Sequence, residues 1–526
     1  MVERTTWVPD LLYLGGRFER GRALICDELG AVVAAPHIEI PDEVVGGENF
    51  FIETEPGIGV RVGRVVRLPG RALLPGMVNA HSHAFQRVIR GRTEYRTANT
   101  HDSFWTWREM MYAASARLTP EDVYDASRMA FMEMALGGIT SVGEFHYLHR
   151  TAEGAEYDDP NLLAKEVVRA ARDVGLRIAL LRVAYARAGY MKEDDPRQLR
   201  FIEPDAETFV RHTEALDDEL MKQGGVGVGE PSGRTAWVGV APHSVRAVPP
   251  EYLREVSAFA EARGLPLHMH VAEQPAEVAA CVEETGRTPV ALLADEGVLG
   301  PRFTGVHAIH VTPEEVRALA SARAFVCACP TTERNLGDGV VPADLFFENG
   351  VRVALGTDSH AQIDLLEDAR GLEYHLRLRL LRRNVLAPAR GEDVEKGEDG
   401  RDAGRGGQRG GDAGVDSEGS ELPALAARLF ECASRAGARS IGAPAGEFVP
   451  GAAADFFTVD LNDPSVAGAS AEDLLPAVVF SLSRAAVREV SVGGRLVVEG
   501  GRHAAQDEIV SRFGALQRRL WGPVRD

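Results

Sequence analysis

Cysteine is scarce in this chain: five residues in 526, at Cys26, Cys281, Cys327, Cys329 and Cys432. An odd, scattered set argues against a disulfide framework and fits a reducing cytoplasm. Cys327-Ala-Cys329 has the alternate spacing of one strand face, and both side chains are read as small core residues. Long apolar runs are missing too. No stretch reaches the ~18 apolar residues that a membrane span requires. The N-terminus, with Glu3 and Arg4, lacks an apolar signal core. A soluble, unexported protein is expected. Positive charge is in short supply as well. The 58 Lys and Arg stand against 78 Asp and Glu, and the net charge of −20 argues against nucleic acid or an anionic membrane as partner. Lysine occurs only as Lys165, Lys192, Lys222 and Lys396.

What is present is an ordinary globular balance, 45% hydrophobic and 26% charged, which excludes a wholly disordered chain. The first seventy or so residues read as short strands broken by Gly and Pro, forming a small antiparallel element. Strand-like runs at 138–145, 176–183, 237–241, 265–272, 305–310, 324–329 and 351–356 then alternate with amphipathic stretches at 120–136, 161–174, 249–263 and 313–320. Repeated βα units predict a parallel sheet closed into a barrel. The tail returns to short strands. Residues 391–421 break the pattern, with ten glycines, ten acidic and four basic residues and almost nothing to bury; they read as a disordered surface insert.

The chemistry gathers at strand ends. Asn79-Ala80-His81-Ser82-His83 closes an apolar run, and residues two apart share one side of a strand. His268-Met269-His270-Val271-Ala272-Glu273 closes a second, His307 lies in a third, and Gly356-Thr357-Asp358-Ser359-His360 follows the last. In a barrel the C-terminal ends of the strands form the active face. Histidine with carboxylate suits Zn²⁺ or Fe²⁺, with a coordination position left for water. His268, which shares the strand parity of His270, is read as packing.

Together these residues resemble those of the amidohydrolase superfamily. The resemblance implies an α/β fold: a distorted (β/α)8 TIM barrel with a small β-sandwich made from both chain ends. Residues 1–73 and 442–503 would form the sandwich, 74–441 the barrel, and 504–526 a C-terminal helix. It carries metal binding over to His81, His83, His270 and Asp358, and catalysis to Glu273, His307 and Asp358. Binuclear branches carry a lysine at the end of strand four. The run 177–185, taken as that strand, has none, so one metal ion is expected, Zn²⁺ first and Fe²⁺ second.

Within the superfamily the chain is similar to the formimidoylglutamate deiminase family of histidine catabolism. Phe104-Trp-Thr-Trp-Arg108, Glu144-Phe-His-Tyr-Leu-His149 and Cys329-Pro-Thr-Thr-Glu-Arg-Asn335 carry the resemblance. It implies hydrolytic deimination of N-formimidoyl-L-glutamate to N-formyl-L-glutamate and ammonia. Gln86, Arg108, Tyr147, His243 and Arg246 would hold this small dicarboxylate, since arginine forks suit carboxylates. Trp105 and Trp107 are read as loop packing. A cytoplasmic homodimer is the expectation for such an enzyme. The alternatives are a related amidohydrolase that deaminates a nucleobase, and a non-catalytic scaffold homologue.

Overall fold

The computed structural model describes residues 4–37, 50–55, 58–96, 102–193, 195–223, 231–388 and 423–522. The Gly-rich insert at 391–421 lies outside the described residues. Eight parallel strands form the barrel: β1 (Met77–Ser82), β2 (Ile139–His146), β3 (Arg177–Ala184), β4 (Ala236–Pro242), β5 (Leu267–Val271), β6 (Phe303–His307), β7 (Phe325–Ala328) and β8 (Arg352–Leu355). They neighbour one another in chain order, and a parallel bridge between Ser82 and Asp358 brings the loop after β8 onto β1. Every residue of β2, β3 and β4 is buried, as the continuous apolar runs of a strand covered on both faces require.

One assignment changes. The run beginning at Arg177, read as the fourth strand, is the third. The fourth, Ala-Trp-Val-Gly-Val-Ala-Pro, also lacks lysine, so the expectation of one metal is unaffected. The misplacement arises because the first barrel strand continues almost directly from a strand of the other sheet, Arg64–Pro75, and is not set apart by a helix.

The crossover helices carry their own signals. Pro120–Leu136 starts with a capping box of Thr119 and Asp122, and Leu162–Val174 stops at Gly175, whose φ of 91° suits glycine. Pairing is sparse between β4 and β5, which share a single registered pair, Val240 with Leu267.

Both chain ends build a second, nine-stranded sheet. At its centre Arg64–Pro75 lies between Thr5–Leu14 and Phe456–Asp460. The pairing with Thr5–Leu14 is parallel, where short antiparallel strands were expected; the long stretch of chain between the two allows the return crossover that a parallel pair needs. A buried ion pair ties this sheet to the barrel: Arg177 Nε meets Asp455 Oδ2 at 2.8 Å, and Nη2 meets Oδ1 at 3.2 Å. Helix Gln506–Trp521 packs back on Pro120–Leu136 through pairs such as Arg128 with Glu508. None of the helices among the described residues is long and apolar enough to cross a membrane.

Candidate metal and substrate site

His81 and His83 leave the end of β1, His270 the end of β5, and Asp358 the turn after β8. One donor atom from each lies within 4.8 Å of the others, and all four residues are buried. Hydrogen bonds orient the rings. Nδ1 of His83 donates to the Phe145 carbonyl at 2.9 Å, and Nδ1 of His270 to the His243 carbonyl at 3.1 Å. Each Nε2 is thereby left as the lone-pair donor facing the centre. The backbone N–H of His270 donates to the same His243 carbonyl, so the segment that follows β4 aims this ring.

The donor set fits a divalent ion. Both ring nitrogens of His81 are buried without a hydrogen-bond partner. Leaving a buried polar group so costs about 1–3 kcal/mol, which a cation at one nitrogen relieves. Burial lowers the His81 pKa to about 3 and holds His270 well below the usual range, so both are neutral imidazoles. For Asp358 burial works upward, but the imidazoles of His81, His83 and His307 packed around it outweigh this and keep the carboxyl well below its usual range. Neutral imidazoles and an ionised carboxylate are what Zn²⁺ or Fe²⁺ accepts.

His307 and Glu273 flank this cluster. His307 Nε2 lies 3.7 Å from Asp358 Oδ2 and 3.6 Å from Glu273 Oε1. Its Nδ1 lies 3.2 Å from Oε1 of Glu333, a buried carboxylate missed in the sequence reading although it sits in the quoted 329–335 string. Burial pushes His307 down, but the carboxylates of Glu273, Glu333 and Asp358 prevail and raise it well above the ordinary range. Burial raises Glu273 to about 7.

The backbone here is unusual. Ala272, His307, Ala308, Asp358 and His360 have φ between 45° and 70°, five of the nine non-glycine residues with positive φ among the described residues. Such conformations collect where a site over-determines them. Gly356 is a glycine for space: a Cβ there would stand 2.8 Å from the His81 Cβ and 2.9 Å from its carbonyl oxygen.

Gln86, Arg108, Tyr147, His243 and Arg246 all line one cleft with His83, His270, Glu273 and Asp358. Gln86 Nε2 donates to the Tyr147 hydroxyl at 2.8 Å. Neither Arg108 nor Arg246 forms an ion pair among the described residues, although acids outnumber bases in the chain. Arg108 lies over the Trp105 ring, 5.3 Å from its centroid. Trp107, read as loop packing, stands on the cleft wall, as do Tyr112 and Tyr185, which the sequence did not flag. His268 stays apart and donates from Nε2 to the Ser440 carbonyl at 3.0 Å, a packing role. Cys329 lies beside His307 and Asp358, where burial pushes its thiol well above the usual range.

The amidohydrolase family profile matches residues 72–397. A formimidoylglutamate deiminase of Pseudomonas aeruginosa is 37% identical over 84% of this chain and 88% of its own. A 5-methylthioadenosine/S-adenosylhomocysteine deaminase of Natronomonas pharaonis is 26% identical over 87% of this chain and 90% of its own. Among solved structures, an amidohydrolase from Brucella melitensis superposes with a TM-score of 0.78 at 30% identity, covering 99% of both chains. The barrel, the donor cluster at its strand ends and these matches agree, and the chain belongs to the amidohydrolase family.

Proposed function

We propose that the protein hydrolyses N-formimidoyl-L-glutamate to N-formyl-L-glutamate and ammonia, with one Zn²⁺ held by His81, His83, His270 and Asp358. The observation that carries this reading is the cleft itself, which puts two arginines that form no ion pair among the described residues, Arg108 and Arg246, on the same walls as the His and Asp cluster. A substrate with two carboxylates and a neutral reacting end matches that division. The 37% identity to a formimidoylglutamate deiminase supports the same substrate.

Arg108 and Arg246 bind the carboxylates and turn the formimidoyl carbon toward the cluster, with Gln86, Tyr147 and His243 along the cleft between. A divalent ion held by His81, His83, His270 and Asp358 would lower the pKa of water toward neutrality and so would make hydroxide available near pH 7. Asp358 takes up the proton that the water gives up, and His307, protonated beside it, orients that water. Glu273, on the other side of His307, hands a proton to the formimidoyl nitrogen. A C–O bond forms at the formimidoyl carbon; the terminal nitrogen, with one proton from Glu273 and a second from Asp358, leaves as ammonia when its bond to that carbon breaks, and the new hydroxyl returns its proton to Glu273 as the formyl C=O forms. Glutamate's own nitrogen keeps the resulting formyl group. The same reading places a homodimer in a reducing cytoplasm, consistent with five buried, unpaired cysteines.

Ammonia release from formimidoylglutamate, followed with and without a chelator, tests the assignment. Chelation should reduce turnover to background, and added Zn²⁺ should restore it. Formamide and glutamate as products would overturn the choice of bond. Faster turnover of a purine ring than of formimidoylglutamate would replace the substrate.

A further inference from the structure

A neutral phenol has one proton to donate and two lone pairs to accept with. The hydroxyl of Tyr112, a residue only 3% exposed, accepts from Arg108 Nε and, at 2.7 Å, from Gln198 Nε2. Both lone pairs are occupied, and the remaining O–H has no acceptor among the described residues. Tyr185 shares part of this arrangement: its hydroxyl accepts one hydrogen bond, from Arg246 Nη1 at 3.3 Å, and its proton too has no acceptor among the described residues. The Tyr185 ring is held edge-on to His243, with centroids 4.7 Å apart. Tyr147 differs, because its O–H already points at the Met111 sulfur, 3.7 Å away.

Two arginines on this cleft are thus each joined to a tyrosine whose hydroxyl proton has no acceptor among the described residues. Accepting from a cation polarises the phenol and strengthens its O–H as a donor. Burial pushes the Tyr112 hydroxyl up to about 12, so the proton stays in place at neutral pH. On the Arg108 side Asp195 and Glu109 are engaged by Arg197, and on the Arg246 side Glu277 and Glu273 act on that guanidinium without forming an ion pair with it among the described residues.

We infer that Tyr112 and Tyr185 are substrate-binding residues, each donating its hydroxyl proton to the carboxylate held by the arginine beside it. Arg108 with Tyr112, and Arg246 with Tyr185, form two donor clamps, which select a dianion over a monoanion. Gln198 is the positioning residue that occupies the second lone pair of Tyr112 and so turns its proton toward the cleft. The inference rests on the dicarboxylate reading of the site.

The test uses the metal-loaded enzyme and the changes Tyr112→Phe and Tyr185→Phe, which remove the hydroxyl and keep the ring. Two ligands are compared: formimidoylglutamate, by kinetics, and glutarate, which has both carboxylates and no amidine, by calorimetry. Each change should weaken glutarate binding about tenfold, the size of one hydrogen bond to a charged group. With formimidoylglutamate the loss should fall on KM more than on kcat. The decisive comparison is 4-(formimidoylamino)butanoate, which lacks the α-carboxylate. On it one of the two changes should lose its effect while the other keeps it. A general disturbance of the cleft would instead act equally on both substrates, and that result overturns the inference. So does glutarate affinity within twofold of the unaltered enzyme in both variants. If the enzyme ignores formimidoylglutamate yet binds glutarate through both tyrosines, the proposed reaction fails and the two clamps stand. If it turns formimidoylglutamate over with unchanged KM in both variants, the clamps fail and the reaction stands.

Discussion

Replacing Asp358 by Asn should lower kcat for formimidoylglutamate by about 10³-fold or more, with the fold intact. The change preserves shape and removes one charge. Its effect is large because two sets of partners depend on that carboxylate: Oδ1 lies 3.4 and 3.2 Å from the Nε2 atoms of His81 and His83, and Oδ2 lies 3.7 Å from His307. An amide offers one acceptor and cannot take up a proton at this pH, so loss of ligand charge and loss of proton transfer coincide. The backbone contacts survive the change, since Asp358 N–H donates to the His81 carbonyl at 3.0 Å and the His83 N–H to the Asp358 carbonyl at 3.1 Å. Metal content by elemental analysis, read beside kcat, separates the two losses. An Asp358→Asn enzyme that keeps its metal and near-normal kcat would refute the role given to this residue.

Replacing Asp455 by Ala should destabilise the protein by roughly 3–5 kcal/mol, the usual result of removing one partner from a buried ion pair. Arg177 and Asp455 are each only 1% exposed. Without the carboxylate, Arg177 keeps its contact from Nη1 to the Arg234 carbonyl at 2.5 Å, and the Gly493 N–H loses the acceptor it meets at 2.7 Å. The remaining cation would be buried and uncompensated. A shift of the denaturation midpoint measures the effect. A double replacement, Arg177→Met with Asp455→Leu, should recover much of the loss, because apolar side chains carry no desolvation penalty. If the single change leaves the midpoint unmoved, the pair does not bind the sheet to the barrel.

The donor cluster was largely legible in the sequence for a local reason. His81 and His83 are two apart on one strand, and His270 and Asp358 stand at the ends of others, so strand periodicity and one barrel rule bring them to a common face. Glu333, Tyr112, Tyr185 and Gln198 were not legible as a set. They act through hydrogen bonds between segments far apart in sequence, such as Gln198 to Tyr112, and no spacing rule encodes these. The positive φ values at His307 and Asp358 were equally invisible, because neither residue type announces a left-handed backbone. The barrel followed from its alternating texture. The parallel pairing of Thr5–Leu14 with Arg64–Pro75 did not, since a strand's sequence does not state the direction of its neighbour.

The nine-stranded sheet also sets a timetable for synthesis. Arg64–Pro75 leaves the ribosome early, yet the strand that covers its second edge, Phe456–Asp460, follows about 380 residues later. At about 5–20 residues per second, that edge waits roughly 20 to 80 s for its partner. Leu73 and Leu74, fully buried in the finished protein, sit on it. An open apolar edge is a template for strand addition by another chain. The interval before translation reaches residue 460 is therefore when a nascent copy most needs a chaperone's cover, and a burst of overexpression should show its failures as edge-to-edge aggregates of incomplete chains.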